Sequence, residues 1–166
     1  MTPERPREED AIAQLEGADD ALEAVVEPSD SSQHSGLAQL YAALDLGTNS
    51  CRMLVARPKG SQFQVVDSFS KTVQLGAGLE ASGRLSRASM ARTIQALRIC
   101  QKKLEKHNVK RMRLVATEAC RRAKNARDFI RQVRRETGLQ LEIIAPEDEA
   151  RLAVISCAPL VSAKTE

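Results

Sequence analysis

From Tyr41 onward, apolar and polar positions alternate in runs whose lengths and periods define elements. YAALDL (41–46) is a short apolar run ending in Asp-Leu-Gly, the pattern of a buried strand. After Gly-Thr-Asn, SCRMLVARP predicts a second strand, Lys59-Gly60-Ser61 a turn, and FQVVDSFSKTVQL a third strand. Two strands around a tight glycine-containing loop, with a third after another turn, make an antiparallel meander. LGAGLEASGRLS reads as a glycine-bearing loop, with Gly76-Ala77-Gly78 as a flexible segment able to close on a substrate. Ser86 or Ser89 then caps a long helix to about His107, with Met90, Ile94, Leu97, Cys100 or Gln101, and Leu104 on its inner face. Asn108 ends it. RMRLVAT predicts a fourth strand and EACRRAK a short connection. Asn125 caps a second helix with a stripe of Ala126, Phe129, Ile130 and Val133, closed by Gly138. LEII is a fifth strand, and Pro146 opens a third helix, EDEARLAVISCA. The order β-β-β-α-β-α-β-α reads as an α/β sheet with an antiparallel portion, and PLVSAKTE adds no further strand.

Three regions follow: an N-terminal tail (1–40), a folded lobe (41–159) and a polar C-terminal end (160–166). The tail is rich in Pro, Glu, Asp, Ser and Ala and buries too little apolar surface to offset its ordering entropy, so disorder is expected. Within it, residues 11–26 have the spacing of a transient helix. Of the 166 residues, the first 40 carry two Arg against ten Asp or Glu, a net of −8, and the rest a net of +11. A basic lobe attracts polyanions, and an acidic tail would shield it from them.

Composition narrows the classes. With three Phe, one Tyr and no Trp, the chain lacks the aromatic platforms of single-stranded nucleic-acid binders. Cys51, Cys100, Cys120 and Cys157 are widely spaced and only two His are present, which argues against zinc. Cys51 and Cys100 fall on apolar faces, as buried free thiols do. The acidic N-terminus is no secretory signal, and no apolar stretch is long enough to span a bilayer, so a cytoplasmic protein is expected.

Three segments could carry chemistry. In Asp45-Leu46-Gly47-Thr48-Asn49-Ser50 a strand delivers an acid to a turn of small residues, whose amides can cradle phosphate while Asp45 serves a magnesium ion. The same residues also suit an ordinary hairpin turn. Glu147-Asp148-Glu149 opens a helix, where acids complement the helix dipole, and one of the three could act as a general base. Local physics does not choose among them. ATEACRR (116–122) follows a strand, where open α/β sheets bind ligands, and Arg121 could grip a phosphate oxygen; a solvated basic surface is the plainer account of its neighbours.

In this order and spacing, ALDLGTNSCRMLVA, VQLGAGL, VATEACRRAKN and LEIIAPEDEARLAV resemble the N-terminal lobe of the exopolyphosphatase and guanosine pentaphosphatase family, within the wider actin, sugar-kinase and heat-shock-protein superfamily. The resemblance runs from about Tyr41 to Pro159. It implies an actin-like ATPase (ribonuclease-H-like) lobe that stops before the family's second phosphate loop and second lobe. It also implies hydrolysis of the terminal phosphoanhydride of inorganic polyphosphate or guanosine pentaphosphate, with Glu149 orienting water. Phosphate would be held by Gly47, Thr48, Asn49, Ser50 and Arg121, and Mg2+ by Asp45. Asp148 stands where the family more often has Glu. As a single lobe the chain is expected to be weak or inactive alone, or to work with a second copy or a separate second lobe. The alternatives are a non-catalytic polyphosphate- or nucleotide-binding or dimerisation module and an ATP-dependent relative; nucleic-acid binding ranks last.

Overall fold

A computed structural model describes the backbone of residues 39–162 and the side chains of residues 39–155. The expected tail disorder and transient helix lie outside the described residues. Three strands, β1 (Tyr41–Leu46), β2 (Ser50–Lys59) and β3 (Gln62–Thr72), form the expected meander. A short helix α1 (Leu79–Ser82) and the long α2 (Arg87–Lys106) lead to β4 (Arg111–Ala116). Then come α3 (Glu118–Arg122), α4 (Ala126–Thr137), the brief β5 (Glu142–Ile143) and α5 (Pro146–Ser162). The sheet order is β3-β2-β1-β4-β5. β1 pairs antiparallel with β2 and parallel with β4, β2 pairs antiparallel with β3, and β4 pairs parallel with β5. This is the mixed α/β sheet that the element order predicts.

Three local expectations change, and one open choice, the cap of α2, is decided. The connection after β4 is a helical turn, α3, and another turn of helix, α1, lies within the loop after β3. α5 continues through Ser162, so the polar C-terminal end expected from residue 160 starts inside a helix. Ser86, not Ser89, caps α2, its hydroxyl accepting from the Ser89 amide at 3.1 Å. Asn125 precedes α4 without capping it by its side chain. Its Oδ1 instead accepts from the Leu85 amide at 2.8 Å while Nδ2 donates to the Leu85 carbonyl at 3.0 Å. A buried amide serves both the N–H and the C=O of one residue in this way, which a cap cannot offer.

Alternation in β1 sends Ala42, Leu44 and Leu46 into the core and Tyr41, Ala43 and Asp45 to the opposite face. On the core side, Ile94, Leu97, Cys100 and Leu104 of α2 and Phe129 and Val133 of α4 pack on the sheet. Cys100 is the buried member of the pair Cys100 and Gln101. Cys51, Cys100 and Cys120 are free and buried, and burial pushes the Cys120 thiol up to about 12, so these sulfurs pack rather than react. Gly138 ends α4 with a left-handed φ of 73° and donates its amide to the Arg134 carbonyl.

The other sheet face is open, with an apolar hollow of about 380 Å³ over Tyr41, Ala43, Leu54, Ala56, Pro58 and Phe63. Phe63 and Val65 of β3 and Val154 and Ile155 of α5 are exposed. Among the described residues, no helix is long and apolar enough to cross a membrane.

Asp67 of β3 ties the sheet to the C-terminal end of α2, its two oxygens each 2.8 Å from Lys103 Nζ and His107 Nε2. Burial acts to raise its pKa, but the hydrogen bonds from Lys103 and His107 outweigh it and hold the carboxyl below its ordinary value. A depressed carboxyl stabilises the fold above the unfolded pKa of about 3.9 and loses that contribution as pH falls through the folded value. Asp67→Asn is therefore expected to cost about 1.5–3 kcal/mol at pH 7, with the gap to wild type closing below about pH 4. Denaturant melts across pH check this, and a gap independent of pH would contradict it.

Candidate functional site

Three parallel strands end on one side of the lobe, and each delivers a polar group there. β1 ends in Asp45 and the loop of residues 47–50, β4 runs into Thr117 and α3, and β5 runs into α5. Carboxyl ends of neighbouring parallel strands are where open α/β sheets bind ligands, because the strand connections splay apart there. A cleft of about 700 Å³ opens between the sheet and α5, with Asp45, Arg52, Thr117, Glu149 and Leu152 among its walls.

Of the three acids that open α5, Glu147 and Asp148 face solvent, whereas Glu149 is half-buried and lines the cleft. Its Oε2 lies 2.8 Å from Nη2 of Arg121. The other guanidinium nitrogen, Nη1, donates to the Ile144 carbonyl at 2.9 Å. Arg121 thus spans from α3 to the strand end beneath Glu149, and the helical turn of α3 is what aims it there.

Asp45 faces the same cleft. Burial among the cleft walls, then repulsion from Glu149, raise its pKa, and Arg52 acts in the opposite direction. The side chain keeps contact with solvent, which limits the size of the effect. Among the described residues no three His, Cys, Asp or Glu side chains gather to hold a metal. Asp45 and Glu149 nevertheless suit Mg2+, which is commonly held by one or two carboxylates and takes its remaining oxygens from water and phosphate. A divalent cation would also relieve the repulsion between them.

The loop of residues 47–50 stands at the end of β1 but does not itself line the cleft. Its turn closes through the Gly47 amide to the Ser50 carbonyl at 2.9 Å. The carbonyls of Thr48 and Asn49 point away, accepting from Gly76 at 3.0 Å and from Val73 and Gln74 at 2.8 and 2.9 Å. Among the described residues no backbone acceptor meets the Thr48 and Asn49 amides, so both are left to bond an outside acceptor.

Gly47 needs no special conformation, and a Cβ there would stand 3.6 Å from the Ser50 carbonyl oxygen, an ordinary contact. The demanding glycine is Gly76, where a Cβ would meet Thr48 Cγ2 at 2.4 Å. Of the segment 76–78, expected to be a flexible loop, Gly76 is packed directly on the phosphate-loop candidate, while Ala77 and Gly78 are exposed. Gly76→Ala should force Thr48 to turn about χ1, at a cost of about 1 kcal/mol. Adding Thr48→Ser, which removes Cγ2, should restore stability; a double variant no more stable than Gly76→Ala by thermal melting would contradict this contact.

The structure therefore brings Asp45 and Glu149 to one cleft and joins Arg121 to Glu149, while residues 47–50 stay at the end of β1, outside the cleft lining. Sequence reasoning missed Arg52 and Thr117. Arg52 lies directly across the hairpin from Asp45, a register that the short loop already implies. Thr117 lies within the candidate segment 116–122 but was given no role there, because its place depends on the parallel pairing of β1 and β4; its amide donates to the Leu46 carbonyl at 3.1 Å.

The fold and site define an α/β lobe whose charged groups converge at the carboxyl ends of its parallel strands. The model of the Ppx/GppA phosphatase family matches residues 54–165, and the chain belongs to that family. A solved Ppx/GppA family member from Aquifex aeolicus is 37% identical with a TM-score of 0.69, over 72% of this chain and 39% of that one. A PPX-GPPA enzyme structure from the same organism is 38% identical with a TM-score of 0.64, over 67% of this chain and 37% of that one. An exopolyphosphatase from Cytophaga hutchinsonii shares the fold at 24% identity and a TM-score of 0.66, over 69% of this chain and 36% of that one. The chain thus spans well under half the length of these relatives.

Proposed function

We propose that this chain supplies the base-bearing, phosphate-binding lobe of a hydrolase that cleaves the terminal phosphoanhydride of inorganic polyphosphate or guanosine pentaphosphate. The observation that supports it most is the Arg121–Glu149 pair at 2.8 Å, whose Glu149 lines a cleft together with Asp45. A terminal phosphate would take over the guanidinium fork of Arg121, since a multiply charged phosphate competes well for a bidentate donor. Glu149 Oε2, released from Arg121, would then accept a proton from water. The water oxygen would form a bond to the terminal phosphorus as the bridging P–O bond on the opposite side breaks. Orthophosphate leaves, and the shortened phosphate chain keeps the bonding electron pair. Amides and side chains of residues 47–50 would hold the phosphate oxygens, so catalysis comes from positioning and charge neutralisation.

Mg2+ held by Asp45 would neutralise charge on the phosphate oxygens. Arg52, across the hairpin from Asp45, adds a positive charge to the same wall. We place this chemistry in the cytoplasm, where polyphosphate and guanosine pentaphosphate would be met.

A second reading, a non-catalytic module that binds polyphosphate or a nucleotide or pairs with another chain, draws support from the open apolar sheet face. Phosphate release from polyphosphate by the purified chain with Mg2+ separates the two. Release supports the hydrolase reading. Binding without release, by a chain shown to be folded, favours the module.

A further inference from the structure

We propose that segment 73–85 is a rigid brace that sets the phosphate-loop candidate against the helix bearing Arg121, and that Arg92 is the positioning residue anchoring it. The proposal rests on the phosphate-binding reading of residues 47–50. At one end of the segment, the amides of Val73, Gln74 and Gly76 donate to the carbonyls of Asn49 and Thr48, and the absence of a Cβ at Gly76 lets Thr48 sit against it. At the other end, the Gly83 carbonyl accepts from the Lys124 amide at 3.0 Å, and Asn125 clasps both the N–H and the C=O of Leu85. Between them, Glu80 of α1 pairs with Arg122 of α3 at 2.7 Å. One segment therefore touches the phosphate loop and the elements flanking Arg121, two groups more than seventy residues apart in the chain.

Arg92 reaches this brace from α2. Its Nε donates to the Val73 carbonyl at 3.0 Å, and Nη2 to the Gln74 carbonyl at 3.4 Å and the Ser89 hydroxyl at 3.3 Å. Val73 and Gln74 are also the residues whose amides hold Asn49. The peptide group joining Val73 to Gln74 is thus fixed on both sides, by the phosphate loop through the Gln74 N–H and by Arg92 through the Val73 C=O. Gln74 has a left-handed φ of 49°, unusual for a residue with a Cβ and kept only where the surroundings over-determine it. Arg92 touches neither the cleft nor residues 47–50, so its effect on phosphate would pass through the brace.

The test compares wild type with Arg92→Met and Arg98→Met. Arg98 stands on the same helix and loses the same charge, but its partner is Glu136 at 2.7 Å, away from the brace. Hydrogen exchange without ligand reads the amides of Val73, Gln74 and Gly76. Tripolyphosphate titration, followed by amide chemical shifts at Thr48, Asn49 and Ser50, reads the loop. Arg92→Met is expected to lose at least about tenfold protection at the three amides and to bind about tenfold more weakly, with Arg98→Met within about twofold of wild type. Equal behaviour of the two variants in exchange would overturn the brace. If wild type itself gives no tripolyphosphate response at the loop, the phosphate reading fails, and exchange alone still decides whether Arg92 holds the segment. Should Arg92→Met not fold, Arg92→Lys, which keeps the charge without the planar fork, carries the same comparison.

Discussion

On the proposed hydrolase reading, Glu149→Gln is expected to lower whatever phosphate release from polyphosphate the chain shows by about 100- to 10,000-fold, the range that a positioned general base supplies. Glutamine keeps the shape of the side chain and can still accept the hydrogen bond from Arg121, so the fold should be nearly unchanged. What it removes is the ability to take a proton from water and the negative charge facing Asp45. The Asp45 carboxyl, which Glu149 helps to raise, should then fall back toward its ordinary value. Steady-state release at saturating Mg2+ and carbon-detected titration of Asp45 check the two effects separately. Unchanged release with a lowered Asp45 pKa would mean that Glu149 shapes the field of the cleft without acting as the base. The neighbouring acids sharpen the comparison. Glu147→Gln and Asp148→Asn change charge on the same helical turn but sit in solvent, so each should leave release within about twofold.

Phe129→Ala is expected to destabilise the lobe by about 3–5 kcal/mol, the cost of deleting a fully buried aromatic ring and leaving a cavity. Phe129 is 0% exposed on the inner face of α4, within the cluster that joins α4 to α2 and the sheet. Small domains have only about 5–15 kcal/mol in total, so the loss is a large fraction and should lower the thermal midpoint by roughly 10–20 °C. It also reaches the site. α4 begins immediately after Asn125, whose side chain clasps Leu85 at the end of the proposed brace. Loosening α4 should therefore raise hydrogen exchange at Leu85 before global unfolding. Phe129→Leu retains most of the buried volume and should cost less than half as much. A midpoint for Phe129→Ala within a few degrees of wild type would show that the ring is not the keystone its burial implies.

The sequence itself determined the elements and most of their order. Strong periodic signals carried the result: alternation in β1, the 3.6-residue stripe of Ile94, Leu97 and Leu104, and the stripe of Phe129 and Val133. Each reflects burial of one face, which local spacing records directly. Glycine at 138 marked the end of α4 for an equally local reason, its left-handed φ. Four ordered motifs carried the resemblance to the family, and that resemblance implied Asp45, Arg121 and Glu149 before any contact was known.

Tertiary structure decided what depends on packing between distant segments. The two short helices α1 and α3 are too brief for any periodic signal, and each is held by what it buries in the core, Leu79 in α1 and Ala119 and Cys120 in α3. Asn125, by type and place a helix cap, is drawn to Leu85 because two good hydrogen bonds, to the N–H and the C=O of that buried residue, outweigh one to a helix amide. Glycines 76 and 78 suggest freedom in sequence, yet Gly76 is small because Thr48 fills its space. Among three adjacent acids local physics made no choice, and it is the helix phase and the reach of Arg121 that set Glu149 apart in space. Composition and period register which residues are buried; which polar group meets which across forty or seventy residues is settled only when the parallel strands β1, β4 and β5 bring their carboxyl ends together.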